Sequence, residues 1–305
     1  MKITKVISKY LQYMKTLNRS NYTIRSAKYN LRDLVSFLGG EGISDIEQLT
    51  GDILTEYQQD LAFRLTGNGR LLSLATQEKR LCDIKGFTRY LLDQDYLPSD
   101  PGRKIKLPKR PKHLPRAILD QAEVSRIMKA PDTRTNMGYR NRVILEILYD
   151  TGIRRSEVAA LKVHDIDSDG GYILVQGKGD KDRVVPVSER VCVLIRNYLI
   201  AIRPDLFTGK DTGYLIVNEH GEQMHPNSIW RVVKKSADLA RIKKNITTHT
   251  FRHTCATHML RNGAPIRHIQ EMLGHESLVS TQIYTRVTIN DLKKVHERYH
   301  PSEMR

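Results

Sequence analysis

Hydrophobic residues in the first hundred positions recur every three or four residues, a spacing that predicts amphipathic helices. Thr23 is a candidate cap for one such helix, and Gly39-Gly40 would end it. The apolar positions assigned to three helices in this region are Ala27, Leu31, Leu34, Val35 and Leu38, then Leu54, Tyr57, Leu61 and Leu65, and finally Leu81, Ile84, Phe87, Tyr90 and Leu91. The pattern therefore predicts a helical bundle over residues 1–97.

The pattern changes beyond residue 116, where helices and a hairpin are combined. The segments "DQAEVSRIMKAP" and "YRNRVILEILYDTG" have helical spacing, and Gly152 would end the second helix. The segment "GYILVQGKGDKDRVVPV" alternates apolar and polar residues around a Gly-Lys-Gly-Asp turn, which is typical of a β-hairpin. Helical spacing returns after Val191 in four further segments. We therefore predict a mainly α-helical protein with a small β-sheet, whose second domain is α+β and covers residues 117–305.

Composition supports two domains and favours a polyanionic partner. A chain of 305 residues is long for a single core. Fifty Lys and Arg residues against thirty-four Asp and Glu give a formal net charge of +16, which favours nucleic acid. An anionic membrane would attract the same charge, but no segment approaches the ~20 consecutive apolar residues of a spanning helix, and charges interrupt the amino terminus where a signal peptide is apolar. We therefore predict a soluble, cytoplasmic protein that binds no membrane.

A basic, proline-rich linker separates the two predicted domains. Residues 98–116 contain five prolines and seven Lys or Arg residues. Such a backbone extends by ~3 Å per residue, so the linker could follow a duplex while its cations neutralise phosphates. The predicted DNA contacts, in the linker and on the helix that ends at Leu91, are Lys79, Arg80, Lys85, Arg89, Lys104, Lys106, Lys109, Arg110 and Lys112. Solvated charge on the helix and a merely flexible, solubilising linker are the alternatives.

The three cysteines are widely spaced and odd in number. Cys82, Cys192 and Cys255 give neither a disulfide framework nor a CxxC metal pair. We therefore predict that all three are buried, reduced thiols.

Two positions between predicted elements carry candidate cations. Arg154 follows Gly152 at a corner between helices, where a side chain can face a pocket, and Glu157 lies in the first turn of the next helix. Lys178 lies between two glycines at the hairpin tip, where a long side chain can reach a ligand. The alternative for Arg154 is a purely structural corner, with a helix cap at Ser156 or an adjacent residue. The alternative for Lys178 is a solvated side chain without a ligand.

The segment "HTFRHTCATHML" places His249, Arg252 and His253 on one side of a helix, because they are three and four residues apart. The spacing resembles that of a zinc-binding pair. The metalloprotease pattern, however, needs Glu where Thr250 stands, and a guanidinium between two imidazoles would repel a dication, so we predict no metal. The planar guanidinium of arginine and the exchangeable proton of histidine instead suit an oxyanion such as phosphate.

The segment "IQEMLGHESLVSTQIYTRV" completes an ordered set by adding His275 and, nine residues later, Tyr284. The order Arg-x-x-Glu, Lys on a hairpin, His-x-x-Arg-His, Leu-Gly-His and Tyr resembles the tyrosine recombinase (phage integrase) family over essentially the whole chain. The likeness is strongest to the Xer-type subgroup, whose "GKG" hairpin, "LRHxxATHxL" and "LGHxxxxxTQIYTHV" segments match "GKGDKDRVVPV", "FRHTCATHML" and "LGHESLVSTQIYTRV". The resemblance implies a core-binding bundle and a catalytic domain that clamp double-stranded DNA.

The resemblance also implies site-specific recombination through a 3'-phosphotyrosyl intermediate. Tyr284 would attack the scissile phosphate, and His249 would accept its proton, because a phenol with a pKa of ~10 is a poor nucleophile at neutral pH. Lys178 would protonate the 5'-hydroxyl leaving group. Since the covalent bond stores the energy of the phosphodiester, the resemblance implies no ATP and no other cofactor.

In the same family pattern, several side chains surround the phosphate itself. Arg154 and Arg252 would hold its two non-bridging oxygens. His275 would donate a hydrogen bond to a phosphate oxygen or to the nucleophile. Glu157 and His253 would not touch the phosphate but would orient the groups that do. The positive charge of the arginines would take the role that metal ions play in other strand-transfer enzymes.

The resemblance further implies an assembly, because two duplexes require four active sites. A homotetramer, or a heterotetramer with a paralogue, would act through a four-way junction. Asn290 could cap a short helix over about 290–300, with Leu292, Val295 and Tyr299 on one face, which is too short to be stable alone. In the family such a helix docks on the neighbouring subunit, whereas packing on its own domain is the alternative. The residues before the linker leave no room for a separate arm-binding domain.

Three other functions remain open from the sequence. A type IB topoisomerase would use the same phosphotyrosine chemistry to relax DNA, although these enzymes commonly have Lys or Arg at the position of His249. A DNA-binding regulator would keep the scaffold with an inactive site. A metallohydrolase would use His249 and His253.

Overall fold

The computed structural model describes residues 1–109, 118–177 and 182–274. The chain divides into two compact units, Met1–His113 and Leu114–Arg305, and this boundary falls within the predicted linker. The predicted features that lie outside the described residues are Arg110, Lys112, Lys178, His275, Tyr284 and the terminal helix near 290–300. In the part of the chain that is described, no helix combines the length and the apolar character needed to cross a membrane.

The first unit is a helical bundle, as the hydrophobic spacing predicts. Its helices are α1 (Ile3–Thr16), α2 (Asn21–Gly40), α3 (Gly51–Phe63) and α4 (Leu74–Asp93), with 3₁₀ turns at Ile46–Gln48 and Pro101–Lys104. Leu31, Leu54, Tyr57 and Phe87 are fully buried where the helices meet. The hydroxyl of Tyr57 donates to a carboxylate oxygen of Asp33 at 2.6 Å, so the buried phenol keeps a polar partner.

Local details of this unit differ from the sequence predictions. Ser20, rather than Thr23, caps α2, and its hydroxyl accepts the backbone N–H of Thr23 at 3.2 Å. Leu65 lies outside α3 and is 61% exposed, because the backbone is already extended at Arg64 and Leu65 pairs with Leu71 in an antiparallel bridge. Ile105, which the sequence assigns to the linker, is buried in the core of this unit.

The second unit combines helices with a three-stranded antiparallel sheet. Its elements are α5 (Gln121–Lys129), α6 (Asn136–Thr151), α7 (Arg155–Ala160), β1 (Ile166–Asp167), β2 (Tyr172–Val175), β3 (Arg183–Pro186), α8 (Glu189–Asn197), α9 (Pro226–Leu239), α10 (Thr248–Arg261) and α11 (Ile266–Leu273), with 3₁₀ turns at Val163–Asp165 and Arg203–Leu206 and a π-helical turn at Tyr198–Ile202. The strand order is β1-β2-β3, and β2 and β3 form the predicted hairpin. The mainly helical fold class with a small sheet is confirmed.

Helix α6 lies at the centre of the second unit. Its Ile144, Leu145 and Leu148 are fully buried in the main core. Gly152 ends the helix as predicted, in the left-handed conformation with φ +60°. A Cβ at this position would lie 2.7 Å from Cδ2 of Leu273, so the end of α6 packs closely against the end of α11. This close approach brings the corner after α6 next to α11.

Replacing Gly152 by alanine is expected to destabilise the second unit by about 2–4 kcal/mol, because the left-handed backbone costs about 1–2 kcal/mol with a Cβ and overpacking adds more. Urea unfolding followed by the fluorescence of Trp230, the single tryptophan, measures this loss. Gly263→Ala is the matched control in the same unit, since Gly263 is also left-handed, with φ +89°, but a Cβ there meets nothing within 4 Å, so only the backbone cost applies. An unchanged unfolding midpoint for Gly152→Ala would contradict the tight packing at this corner.

Candidate active site

Arg154 stands at the corner between α6 and α7, where it caps α7. Its backbone N–H donates to Oε2 of Glu157 at 2.7 Å, and its Nη1 donates to Oε1 of the same carboxylate at 2.9 Å. The carboxylate thus accepts the N–H of the residue that precedes the helix, as in a capping box. The side chain of Arg154 remains 40% exposed, so part of the guanidinium faces solvent.

Arg183, the first residue of β3, belongs to the same cluster, although it is not among the residues predicted from the sequence. Its Nη1 and Nη2 donate to the two oxygens of Glu157 at 3.2 and 2.9 Å, and its Nε donates to the carbonyl of Met272 at 2.9 Å. Alternation along β3 contained the signal: Val185 and Val187 face the core, and Arg183 precedes them at the same period of two. An inward-facing arginine needs an internal partner.

Arg252 lies in α10 and is only 4% exposed. Its Nη1 donates to the carbonyl of Gly152 at 2.9 Å, and its Nη2 donates to the carbonyl of Leu273 at 2.7 Å. The guanidinium therefore joins the end of α6 to the end of α11. On the same helix, His249 is exposed in the first turn and His253 is half-buried.

The three arginines meet at the carboxyl end of α11. Arg183, Arg252 and Arg154 donate to three consecutive carbonyls, those of residues 272, 273 and 274, the last at a longer 3.4 Å. Cations are favourable there because the last carbonyls of a helix carry partial negative charge. The structure thus brings Arg252 next to Arg154 and Glu157, which lie far earlier in the sequence.

The electrostatics of this cluster favour an anionic ligand. Burial by itself would raise the pKa of the Glu157 carboxyl, but hydrogen bonds from Arg183 and from the backbone of Arg154 outweigh it and hold the pKa below its usual value. Glu157 is therefore ionised at neutral pH. The guanidinium groups of Arg154 and Arg183 share this one carboxylate, whereas that of Arg252 bonds to the carbonyls named above, so three cations against one anion leave a positive excess at the cluster. Within the described ranges, no group of three or more His, Cys, Asp or Glu side chains could hold a metal ion.

Of the basic residues predicted to contact DNA from α4, two face the interior of their own unit. Arg80 is 8% exposed and donates to Asp33 at 2.6 Å. Lys85 donates to the carbonyls of Gly102 and Ile105 at 3.3 and 3.1 Å. These contacts account for both cations without DNA.

The other described candidates lie at the surface. Lys79 and Arg89 form i,i+4 ion pairs with Asp83 and Asp93 at 2.5 and 2.9 Å, and the side chain of Arg89 is 66% exposed. The exposed lysines that precede the gap in the described chain are Lys104, Lys106 and Lys109. This group can still reach a polyanion.

The burial of the cysteines corrects one sequence prediction. Cys192 and Cys255 are buried, but Cys82 is exposed, because it lies on the outer face of α4 next to the core residue Leu81. Burial raises the pKa of Cys255 to about 12, so this thiol is inert at neutral pH.

We expect an alkylating thiol reagent at neutral pH to modify one cysteine of the native protein and three after denaturation. Peptide mapping should assign the native label to Cys82, and Cys82→Ser should remove it. Rapid labelling of Cys255 in the native state would contradict its burial in the second unit.

Comparison with known proteins decides the family. The model of the phage integrase family matches residues 117–291, more than half of the chain. The chain belongs to the phage integrase family. Tyrosine recombinase XerC 2 of Ralstonia nicotianae is 36% identical over 303 residues, which cover 99% of this chain and 87% of that protein. Tyrosine recombinase XerD of Staphylococcus epidermidis is 34% identical over 301 residues, which cover 97% of this chain and 98% of that protein.

Solved structures agree with this assignment. The XerA recombinase is 29% identical, with a TM-score of 0.54 and coverage of 97% of this chain and 99% of that one. A pre-cleavage complex of XerH bound to its difH substrate is 25% identical, with a TM-score of 0.70 and coverage of 95% and 82%. The Xer-like resemblance is confirmed. This phage integrase family member is a tyrosine-type site-specific recombinase, and the topoisomerase and regulator alternatives are not favoured.

Proposed function

We propose that the recombinase cleaves and rejoins double-stranded DNA with Tyr284 as the nucleophile, in a site organised by Arg154 and Arg252. The observation that carries the proposal is the convergence of these arginines on the end of α11 with an excess of positive charge. Arginine forks match the oxygens of a phosphate, and preorganised cations stabilise charge that develops in the transition state. The hydrogen bonds of Arg252 to two carbonyls hold its guanidinium in place before DNA arrives.

The proton transfers are assigned to residues around the attacked phosphorus. A phenol is a weak nucleophile at neutral pH, so a base must accept the proton of Tyr284 as the phosphotyrosyl bond forms. His249, exposed three residues before Arg252 on α10, is proposed for this role. Lys178 would give a proton to the departing 5'-hydroxyl, and His275 would bind a phosphate oxygen or the nucleophile. A 5'-hydroxyl of a second strand then attacks the 3'-phosphotyrosyl bond, which rejoins the DNA without ATP.

The DNA contacts proposed for the first unit follow from its surface. Lys104, Lys106 and Lys109 are exposed and belong to the basic segment, so they are assigned to phosphates together with Lys79 and Arg89. Arg80 and Lys85 are assigned to structural roles, because their donors are directed to Asp33 and to backbone carbonyls. Each lost phosphate contact should reduce the slope of the logarithm of the binding constant against the logarithm of salt concentration by about one.

The proposed assembly is a tetramer on two DNA sites, either of identical chains or with a paralogue. Strand exchange between two duplexes requires four cleavages, and the predicted helix near 290–300 would link neighbouring subunits. Removing the residues after Thr288 should therefore abolish tetramers on DNA in light scattering. Tetramer formation and strand exchange by the shortened chain would overturn the docking role of this helix.

Trapping of the covalent intermediate tests the proposal. The wild-type protein first selects a binding sequence from a random pool of duplexes, and this duplex is nicked near its centre so that cleavage releases a short fragment and prevents rejoining. Mass spectrometry of the digested adduct should find the DNA attached to Tyr284. Absence of an adduct, or attachment to another residue, would overturn the proposed chemistry.

A further inference from the structure

We infer that Arg183 is a positioning residue, which neutralises Glu157 and thereby leaves the charge of Arg154 available to the scissile phosphate. The inference rests on the proposed function, in which Arg154 holds that phosphate. The site contains two cations around one carboxylate, and the structure distributes the hydrogen bonds between them unequally.

Arg183 makes more side-chain hydrogen bonds to the carboxylate of Glu157 than Arg154 does. Both of its terminal nitrogens donate to Glu157, one to each oxygen, in the bidentate arrangement that gives the strongest ion pairs. Arg154 makes one side-chain hydrogen bond to the same group. With the backbone N–H of Arg154, the carboxylate receives four hydrogen bonds, which is about its full acceptor capacity.

Arg183 itself is held in place by protein acceptors. Its side chain is 13% exposed, and each of its three guanidinium nitrogens donates to a protein acceptor. Its Nε, Cδ and Cζ pass so close to Gly274 that a Cβ there would lie only 3.1–3.2 Å from them. Arg154, in contrast, is 40% exposed, and its Nη2 makes only a long contact of 3.4 Å to the carbonyl of Gly274. Arg154 can therefore turn towards a ligand, whereas Arg183 is held.

Loss of Arg183 would change the partner of Arg154. The carboxylate of Glu157 is 8% exposed, so two of its acceptor sites would become unpaired in a place that water hardly reaches. Arg154 is already bonded to this carboxylate and would be drawn into a bidentate pair with it. The phosphate would then compete with Glu157 for the same guanidinium, and cleavage would slow although Arg154 is still present.

A double-mutant cycle tests the inference on the nicked duplex used above, with the rate of adduct formation in a single turnover as the readout. Arg183→Met should slow cleavage at least tenfold. In a Glu157→Gln background, where the side chain can still accept the N–H of Arg154 but carries no charge, Arg183→Met should cost less than threefold. If the rate losses of the two single variants simply multiply in the double variant, the inference is overturned. A packing role or a direct DNA contact of Arg183 would give this result, because neither depends on the charge of Glu157.

A methylphosphonate at the cleaved position supplies a second readout. This neutral group needs less positive charge than a phosphate, so the defect of Arg183→Met should shrink on it together with that of Arg154→Ala. Equal slowing on both substrates would mean a merely structural role. Trp230 fluorescence in urea checks that the second unit is folded, and if Arg183→Met does not fold, Arg183→Gln, which also removes the positive charge, takes its place in the cycle. If Arg154→Ala cleaves the duplex as fast as wild type, the proposed function fails; if it is slow while the cycle is additive, only the role of Arg183 fails.

Discussion

Tyr284→Phe is expected to reduce formation of the covalent DNA adduct by more than about 10⁴-fold, the scale of loss when a covalent nucleophile is removed. The substitution deletes one oxygen and keeps the ring, so packing of the side chain changes little. Without that oxygen no phosphotyrosyl bond can form. The nicked duplex and denaturing electrophoresis measure the loss.

Two further measurements make this result specific. Tyr284→Phe should retain DNA binding, because the deleted hydroxyl is one contact among many to the duplex. Tyr22→Phe is the matched control: that side chain is 82% exposed in the first unit, and its variant should form adducts as wild type does. A residual adduct with Tyr284→Phe at more than one hundredth of the wild-type rate would exclude Tyr284 as the sole nucleophile.

Arg252→Ala is expected to slow cleavage by about 10²–10³-fold, the usual cost of removing a preorganised group that stabilises transition-state charge. The variant should also be less stable by about 2–4 kcal/mol, because the carbonyls of Gly152 and Leu273 lose their donor, and a buried unsatisfied polar group costs about 1–3 kcal/mol. Single-turnover cleavage and urea unfolding separate the two losses.

Arg252→Lys and Arg261→Ala serve as the conservative variant and the control for this prediction. Lysine keeps the positive charge but cannot reproduce a planar fork that reaches two carbonyls, so cleavage should recover only in part. Arg261 is exposed at the last turn of the same helix, and its removal should change the rate less than twofold. If Arg252→Ala and Arg261→Ala had similar effects, the assigned role of Arg252 would be wrong.

Much of the fold follows from local pattern. Helix α6 has apolar residues at helical spacing and ends at Gly152, as its sequence predicts, and its apolar residues are buried at the centre of the second unit. The β2–β3 hairpin follows equally from alternation around a glycine turn. Errors occurred where a pattern ended: Leu65 continues a helical spacing, but the backbone had already left the helix at Arg64.

The sequence singled out three residues of the arginine cluster but not the contacts between them, and their catalytic roles stay predictions. Ordered motifs singled out Arg154, Glu157 and Arg252, and the structure places them at one corner. The pairing of Glu157 with Arg183 could not be read from the sequence, because it depends on how β3 and α7 pack around the end of α11. The interior position of Arg80 escaped prediction for a similar reason, since its partner Asp33 lies on another helix.

The three consecutive carbonyls at the end of α11 give this short helix a particular role. Eight residues are too few for an isolated helix to be stable, so α11 depends on Ile269 and Leu273 in its small apolar cluster and on the three arginines. Local opening of α11 would remove one acceptor from each of the three guanidinium groups in one event. The amides of α11 should therefore exchange with deuterium as one cooperative group, and the arrangement of the three arginines would be gained or lost as a whole rather than one residue at a time.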